Sequence, residues 1–209
     1  MGSTEETVGS KDTREVIMEA TFRALSERGY SDLRMRDIGE EMELTRQVIH
    51  YHFDGKRDLM SSFLEYVAEQ YEGAIDVEEY DDPRAELEAR IEQCLFGPGF
   101  DEFGHWERMK VYHELFAHAQ NDEEHQAILD EHYDAIKDSI VRVVEDGIEA
   151  GVFRDVDAER MGQFITDAIH VGRERRLSLG HDDAPEETRA AIEAFVLDSL
   201  YVDDEPGAA

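Results

Sequence analysis

The stretch Met35–Leu59, M-R-D-I-G-E-E-M-E-L-T-R-Q-V-I-H-Y-H-F-D-G-K-R-D-L, constrains this chain most. It reads as a short helix, a three-residue turn, a second short helix, a tight D-G turn and the start of a third helix. Ile38, Met42, Leu44, Ile49 and Phe53 form its apolar side at helix-turn-helix spacing, in which two helices meet over a short turn and bury a shared face. On the second short helix Thr45, Arg46, Gln47, Tyr51 and His52 are hydrogen-bonding or charged groups suited to base edges and phosphates. The chain beyond residue 60 can serve to position this unit.

Around it the chain reads as a series of amphipathic helices, with 41% hydrophobic residues and only four prolines. An all-α fold is expected. Residues 1–11 are polar and read as a disordered N-terminal arm, with 204–209 as a flexible tail. A first helix from about Asp12 to Arg28 ends at Gly29, giving a helix-turn-helix domain over 12–60. The helix beginning at Lys56 runs to about Tyr80 and is shared with the next domain, a potential lever. Asp82-Pro83 opens a helix to Phe96. Further helices follow over about Glu102–Ala119, Glu123–Ala150, Ala158–Leu179 and Pro185–Tyr201, within a helical domain over 61–203.

Charge bears directly on function. The formal net charge is -31, with 52 acidic and 21 basic residues, a balance that opposes binding to phosphates. The acid is unevenly spread: residues 1–66 hold 9 basic and 14 acidic groups, a net of -5, leaving -26 for the remainder. Abundant Asp and Glu with four lysines suggests adaptation to high internal salt, as in a halophilic archaeon. At molar salt the Debye length is only ~3 Å, so repulsion from DNA is screened. The single cysteine, Cys94, has no disulfide or metal-cluster partners, and no apolar run approaches a membrane span. A soluble, cytoplasmic chain without membrane contact is expected.

At Thr45-Arg46-Gln47-Val48-Ile49-His50-Tyr51-His52-Phe53, with Lys56, Leu59 and the upstream Arg36-Asp37-Ile38, the sequence resembles the TetR (tetracycline-repressor-type) family of transcriptional regulators. Ile17, Ala20, Leu25, Gly29 and Tyr30 echo the family's first helix, and Gly151-Val152-Phe153-Arg154 with Asp157 is similar to a boundary in its ligand domain. The resemblance implies a homodimer that places two recognition helices in successive major grooves of double-stranded DNA, most often as a repressor released by a small-molecule effector. A two-fold dimer sets half-sites about one helical turn apart, or a multiple of it. Three departures stand out: His50 replaces a tyrosine, Glu43 the turn glycine, and Arg34 the hydroxyl residue that caps the second helix, a cap worth about 1 kcal/mol.

Within the motif, Arg46, Gln47 and Val48 at the helix start are the candidates for base edges. Arginine can take guanine, glutamine adenine and valine a thymine methyl, the polar pairs discriminating by roughly 1–3 kcal/mol each. Thr45 caps the helix and can touch a phosphate. His50, Tyr51, His52 and Lys56 suit backbone phosphates, Lys56 at a helix N-terminus; Arg34 adds a phosphate contact and Arg36 completes the set. Ordinary half-buried packing is the alternative for Tyr51 and His52.

In the helical domain the aromatic-rich segment with Trp106, Met109, Tyr112, His113 and Phe116, joined by Tyr133 and Phe164, is the candidate effector pocket; plain core is the alternative for any one of them. Arg173, Arg175 and Arg176 either hold an anionic ligand such as an acyl-thioester or pair with Glu174 and neighbouring acids, the second being favoured. The last two helices are candidates for a dimer interface through Phe164, Ile165, Ala168, Ile169, Ile192, Phe195, Val196 and Leu200. His125 and His132 share a helix face and read as a surface His–Glu stripe. The five histidines between 105 and 132 lack metal-site spacing, and G-x-S-x-G, phosphate-loop and H-E-x-x-H motifs are missing, so neither metal, cofactor nor catalysis is expected. Two other readings stay open: an acidic helical interaction protein whose reading head has lapsed, and a metal-dependent helical enzyme.

Overall fold

The computed structural model describes residues 13–42, 46–75, 80–97 and 104–202, with the side chains of 46 and 71–75 left aside. The expected arm at 1–11, Glu43, Leu44, Thr45 and the tail at 204–209 lie outside these residues. All the described elements are helical apart from one isolated bridge. The chain divides into two compact units, Met1–Tyr66 and Val67–Ala209, the division falling within the fourth helix.

In the first unit, α1 spans Thr13–Asp32, α2 Met35–Glu40, α3 Arg46–His52, and α4 Lys56–Ile75 begins there. Gly29 interrupts α1 with φ 73° and ψ 164°, a region costly for a residue with a β-carbon, so the expected stop stands and one further turn continues beyond it. Ile17, Ala20, Leu25, Ile38, Ile49, Leu59 and Phe63 are buried at helical spacing along the four helices and form one core. Each of the leucines, isoleucines and the phenylalanine contributes about 1.5–3 kcal/mol relative to exposure.

In the second unit, α5 is Pro83–Phe96, α6 His105–Ala119, α7 Glu123–Glu149, α8 Ala158–Leu179 and α9 Ala184–Ile192. The expected single last helix is interrupted: α9 widens into a π-helical turn at Glu193–Leu197 and closes with Asp198–Leu200. Aspartates cap three helices, Asp82, Asp122 and Asp157 each accepting backbone N–H groups of the first turn. Each such cap is worth about 1 kcal/mol. Two glycines allow close helix approach. A β-carbon at Gly162 would lie 2.4 Å from Val141 Cγ2 on α7, and one at Gly172 would lie 2.5 Å from Thr188 Oγ1 on α9.

The C-terminal turn is tied back by the bridge between Phe153 and Tyr201. Arg154 N–H donates to Leu200 O at 2.8 Å and Val202 N–H to Val152 O at 3.0 Å. The rings of Phe153 and Tyr201 stack at 5.4 Å. Among the described residues no helix is long and apolar enough to cross a membrane.

Candidate nucleic-acid interface and effector site

The reading head is built from α2 and α3. Ile49 and Phe53 turn one side of α3 into the core, and Phe53 N–H closes the helix on Ile49 O at 2.9 Å. That leaves Gln47, His50, Tyr51 and His52 on the exposed side, with Val48 half-buried. Tyr51 is 85% exposed, its ring edge-on to His52 at 5.2 Å. An aromatic hydroxyl so far from the core has no packing role, which weighs against ordinary half-buried packing for Tyr51. Arg46 opens the helix, and its side chain lies outside those described.

Arg34 and Arg36 are exposed at the start of α2. The loss of a hydroxyl cap at Arg34 is made good from the other side, since the Asp37 carboxylate accepts Arg34 N–H at 2.9 Å. Asp37 is buried, and Arg36 Nε at 3.4 Å and an Arg28 guanidinium nitrogen at 3.9 Å neutralise it. Burial raises its pKa, but the Arg34 N–H and the charges of Arg28 and Arg36 outweigh that and hold it below the ordinary 3.8. The Lys56 ammonium donates to Tyr30 O and lies 4.2 Å over the Tyr30 ring. That bond uses one of its three hydrogens and links the start of α4 to the end of α1.

The second unit holds a polar cluster that only partly coincides with the expected pocket. His125 and His132 lie on the core side of α7, in register with Leu129, Ile136 and Ile140, and His132 is 5% exposed. The expectation of a surface stripe is therefore overturned. The i, i+4, i+7 recurrence with apolar neighbours is the signal that outweighs the flanking glutamates. Tyr112 packs edge-on to His132 at 5.6 Å, and Tyr133 lies 5.2 Å from His170. Burial, and after it the charge of Arg173, pushes His105, His132 and His170 down to about 4. The three rings are neutral at ordinary pH. His113 is also lowered, by burial first, against Glu174, whose carboxylate oxygen is 2.6 Å from its Nδ1.

Arg173 is the group all of these feel, and it is 3% exposed. Its neighbours divide the three arginines into different roles. Arg175 pairs with Glu187 at 2.7 Å. Arg176 donates to Asp182 O at 2.8 Å and covers Trp106, 4.1 Å from the ring centre. Met109 is core. Phe116 and Tyr133 line an open cavity of about 620 Å³ between α6 and α7. Phe164 is exposed and takes no part in that cavity. Sequence reasoning missed His170, which stands on α8 at i, i+4, i+7 spacing with the buried Thr166 and Arg173. Among the described residues no group of three His, Cys, Asp or Glu side chains is placed to hold a metal.

Of the residues assigned to a dimer interface, Ile165, Ile169, Ile192, Val196 and Leu200 are buried within the single chain. They fill its own core, because α8 and α9 pack on each other across Gly172 and Thr188. Ala168 is half-buried, whereas Phe164, Val171 and Phe195 are exposed, Phe195 at 79%.

Comparison with known proteins agrees with this architecture. Residues 17–63 match the family described as bacterial regulatory proteins, tetR family, and residues 105–191 match the tetracyclin repressor-like C-terminal domain. A TetR transcription regulator from Haloarcula marismortui superposes with a TM-score of 0.84 at 29% identity, over 91% of this chain and 100% of that one. A transcriptional regulator from Saccharomonospora viridis, crystallised in complex with choline, gives 0.78 at 22%, over 93% and 100%. The HTH-type regulator TtgR of Pseudomonas putida is 32% identical over 73 residues, 35% of either chain, so little more than a third of that regulator's length is matched. With two models of one family covering more than half its length between them, the chain belongs to the TetR family of transcriptional regulators.

Proposed function

We propose that this protein is a ligand-responsive, homodimeric DNA-binding regulator, a repressor that leaves a pseudo-palindromic operator when a small molecule occupies its helical domain. One observation carries the reading: α3 buries Ile49 and Phe53 while presenting Gln47, His50, Tyr51 and His52 to solvent. Arg46 and Gln47 read bases, and Arg34, Arg36, Thr45, His50, Tyr51, His52 and Lys56 contact phosphates. The low net charge of residues 1–66 relative to the rest supports that assignment.

The dimer uses the exposed apolar side chains Phe164 and Val171 of α8 and Phe195 of the π-helical turn after α9, large apolar groups that a partner surface would cover. The effector enters the cavity walled by Phe116 and Tyr133. Its leverage on DNA is the difference between its affinities for the DNA-binding and the released states.

A gel-shift assay with genomic fragments in high-potassium buffer tests the reading. A sequence-dependent shift that Arg46→Ala makes indiscriminate supports it. No shift at any salt returns the protein to the class of acidic interaction modules.

A further inference from the structure

We infer that the cavity between α6 and α7 takes a cationic small molecule with an apolar body, an alkylammonium whose charge sits between the Asp130 carboxylate and the rings of Phe116 and Tyr133. This deepens the effector reading above and rests on it.

The lining residues carry the argument. Phe116 and Gln120 come from the end of α6, while Gln126, Asp130 and Tyr133 share one face of α7 at i, i+4, i+7 spacing. Among the described residues that line the cavity, Asp130 alone is charged. Phe116 is 47% exposed, a large ring left uncovered at the cavity wall. A cation near an aromatic face is attracted by the ring quadrupole, and a weakly hydrated alkylammonium loses little water in making that contact. The backbone adds a third contribution of the same sign. Ala119 ends α6 and Gln120 is its C-cap, and both line the cavity, which therefore opens on the negative end of a helix dipole.

Tyr133 is anchored by its hydroxyl, which donates to Asp167 at 2.6 Å and accepts from the Gln163 amide at 2.6 Å. Burial, and after it Asp167, pushes that phenol up to about 12, so it stays neutral and its ring keeps the negative face a cation seeks. Lys137, one turn further along α7, pairs with Asp134 at 3.0 Å and Asp138 at 3.4 Å. Arg173, 3% exposed, is not a lining residue. An anion entering the cavity would meet Asp130 and the end of α6 instead. The volume, about 620 Å³, is ordinary for a small-molecule site and admits an apolar chain behind the charged head.

The test is binding of three probes that share one chain, octyltrimethylammonium, 1-octanol and octanoate, to the full chain without DNA. Calorimetry and equilibrium dialysis read it, at the lowest KCl concentration that preserves the circular dichroism of the fold. Octyltrimethylammonium should bind about tenfold or more tighter than 1-octanol, and octanoate weakest. Asp130→Asn and Phe116→Leu, both at exposed positions, should each weaken the ammonium by about twofold to fivefold and leave 1-octanol nearly unchanged. Glu145→Gln, an exposed acid fifteen residues further along α7, controls for the general negative charge and should change nothing. Octanoate or 1-octanol binding as tightly as the ammonium would overturn the inference, as would ammonium binding indifferent to both cavity substitutions. So would a Glu145→Gln loss equal to that of Asp130→Asn, or binding of no probe up to solubility, the result expected if a second copy of the chain fills the groove. Ammonium binding that depends on Asp130 and Phe116 in a protein that never binds DNA would uphold the cation site and sink the regulator reading, so the two fail separately.

Discussion

The carboxylate of Asp37 accepts the backbone N–H of Arg34 at 2.9 Å, closing the start of α2 from within the helix rather than from its cap position. Because Arg28 reaches the same carboxylate from α1, one buried side chain fixes both the start of α2 and its packing. Asp37→Asn should loosen α2 and speed amide exchange at Arg34. The pH dependence has a definite sign. The folded pKa is lowered, so the contribution is present above the ordinary 3.8 and is lost as pH falls through the folded value. Acid titration followed by amide exchange should show α2 opening in that range, and a variant with the wild-type profile would contradict this role.

His132 adds a second, earlier acid transition. Unfolded, the ring takes up a proton near 6.5, whereas in the fold it resists to about 4. Stability is therefore full above 6.5 and declines as pH falls towards 4, by on the order of 2–3 kcal/mol for this ring alone. Urea midpoints across that window should fall in the wild type and fall less in His132→Phe, which keeps a ring against Tyr112. Parallel curves would show that His132 is not the proton acceptor.

Gly147→Ala should destabilise the second unit despite improving helix propensity by about 1 kcal/mol. The new methyl would stand 2.1 Å from the Phe153 ring, which is itself stacked on Tyr201. Overpacking of that kind costs about 1–3 kcal/mol, so the net effect is a loss. Thermal unfolding measures it; a raised midpoint would mean that Phe153 moves aside freely.

Phe195→Asp should turn the dimer into a monomer and leave helix content intact, because the ring is 79% exposed in the single chain. Ile165→Asp, by contrast, should unfold the second unit, since that side chain is fully buried. Sedimentation and circular dichroism on the two variants separate an interface residue from a core one. A Phe195→Asp protein that remains dimeric would move the interface elsewhere.

Much of this structure is legible in residue order. Asp82, Asp122 and Asp157 mark helix starts, Gly29 and Gly180 mark ends, and the stripe Ile38–Ile49–Phe53 locates the helix-turn-helix, because caps and periodicity are local physics. What the order of residues conceals is which of two wide apolar stripes faces inward. Ile165 and Phe164 are adjacent, and only the packing of α8 against Val141 and Thr188 decides that the first is core and the second surface. Arg173 is concealed for the same reason: among three arginines in four positions, burial by neighbouring helices singles it out. Lys56 likewise reads as a phosphate contact, and its bond to Tyr30 O emerges only once α1 and α4 meet.

The functional reading stands or falls on whether the exposed side of α3 reads a DNA sequence. Selection of binding sites from a random duplex library, with the full chain in high-potassium buffer, tests it most directly. The expected result is enrichment of a pseudo-palindrome with half-sites about one helical turn apart, or a multiple of it. Gln47→Ala should relax the preference at one position of each half-site by roughly 1–3 kcal/mol. No enriched sequence at any salt, or an enriched sequence indifferent to both Arg46→Ala and Gln47→Ala, would contradict it.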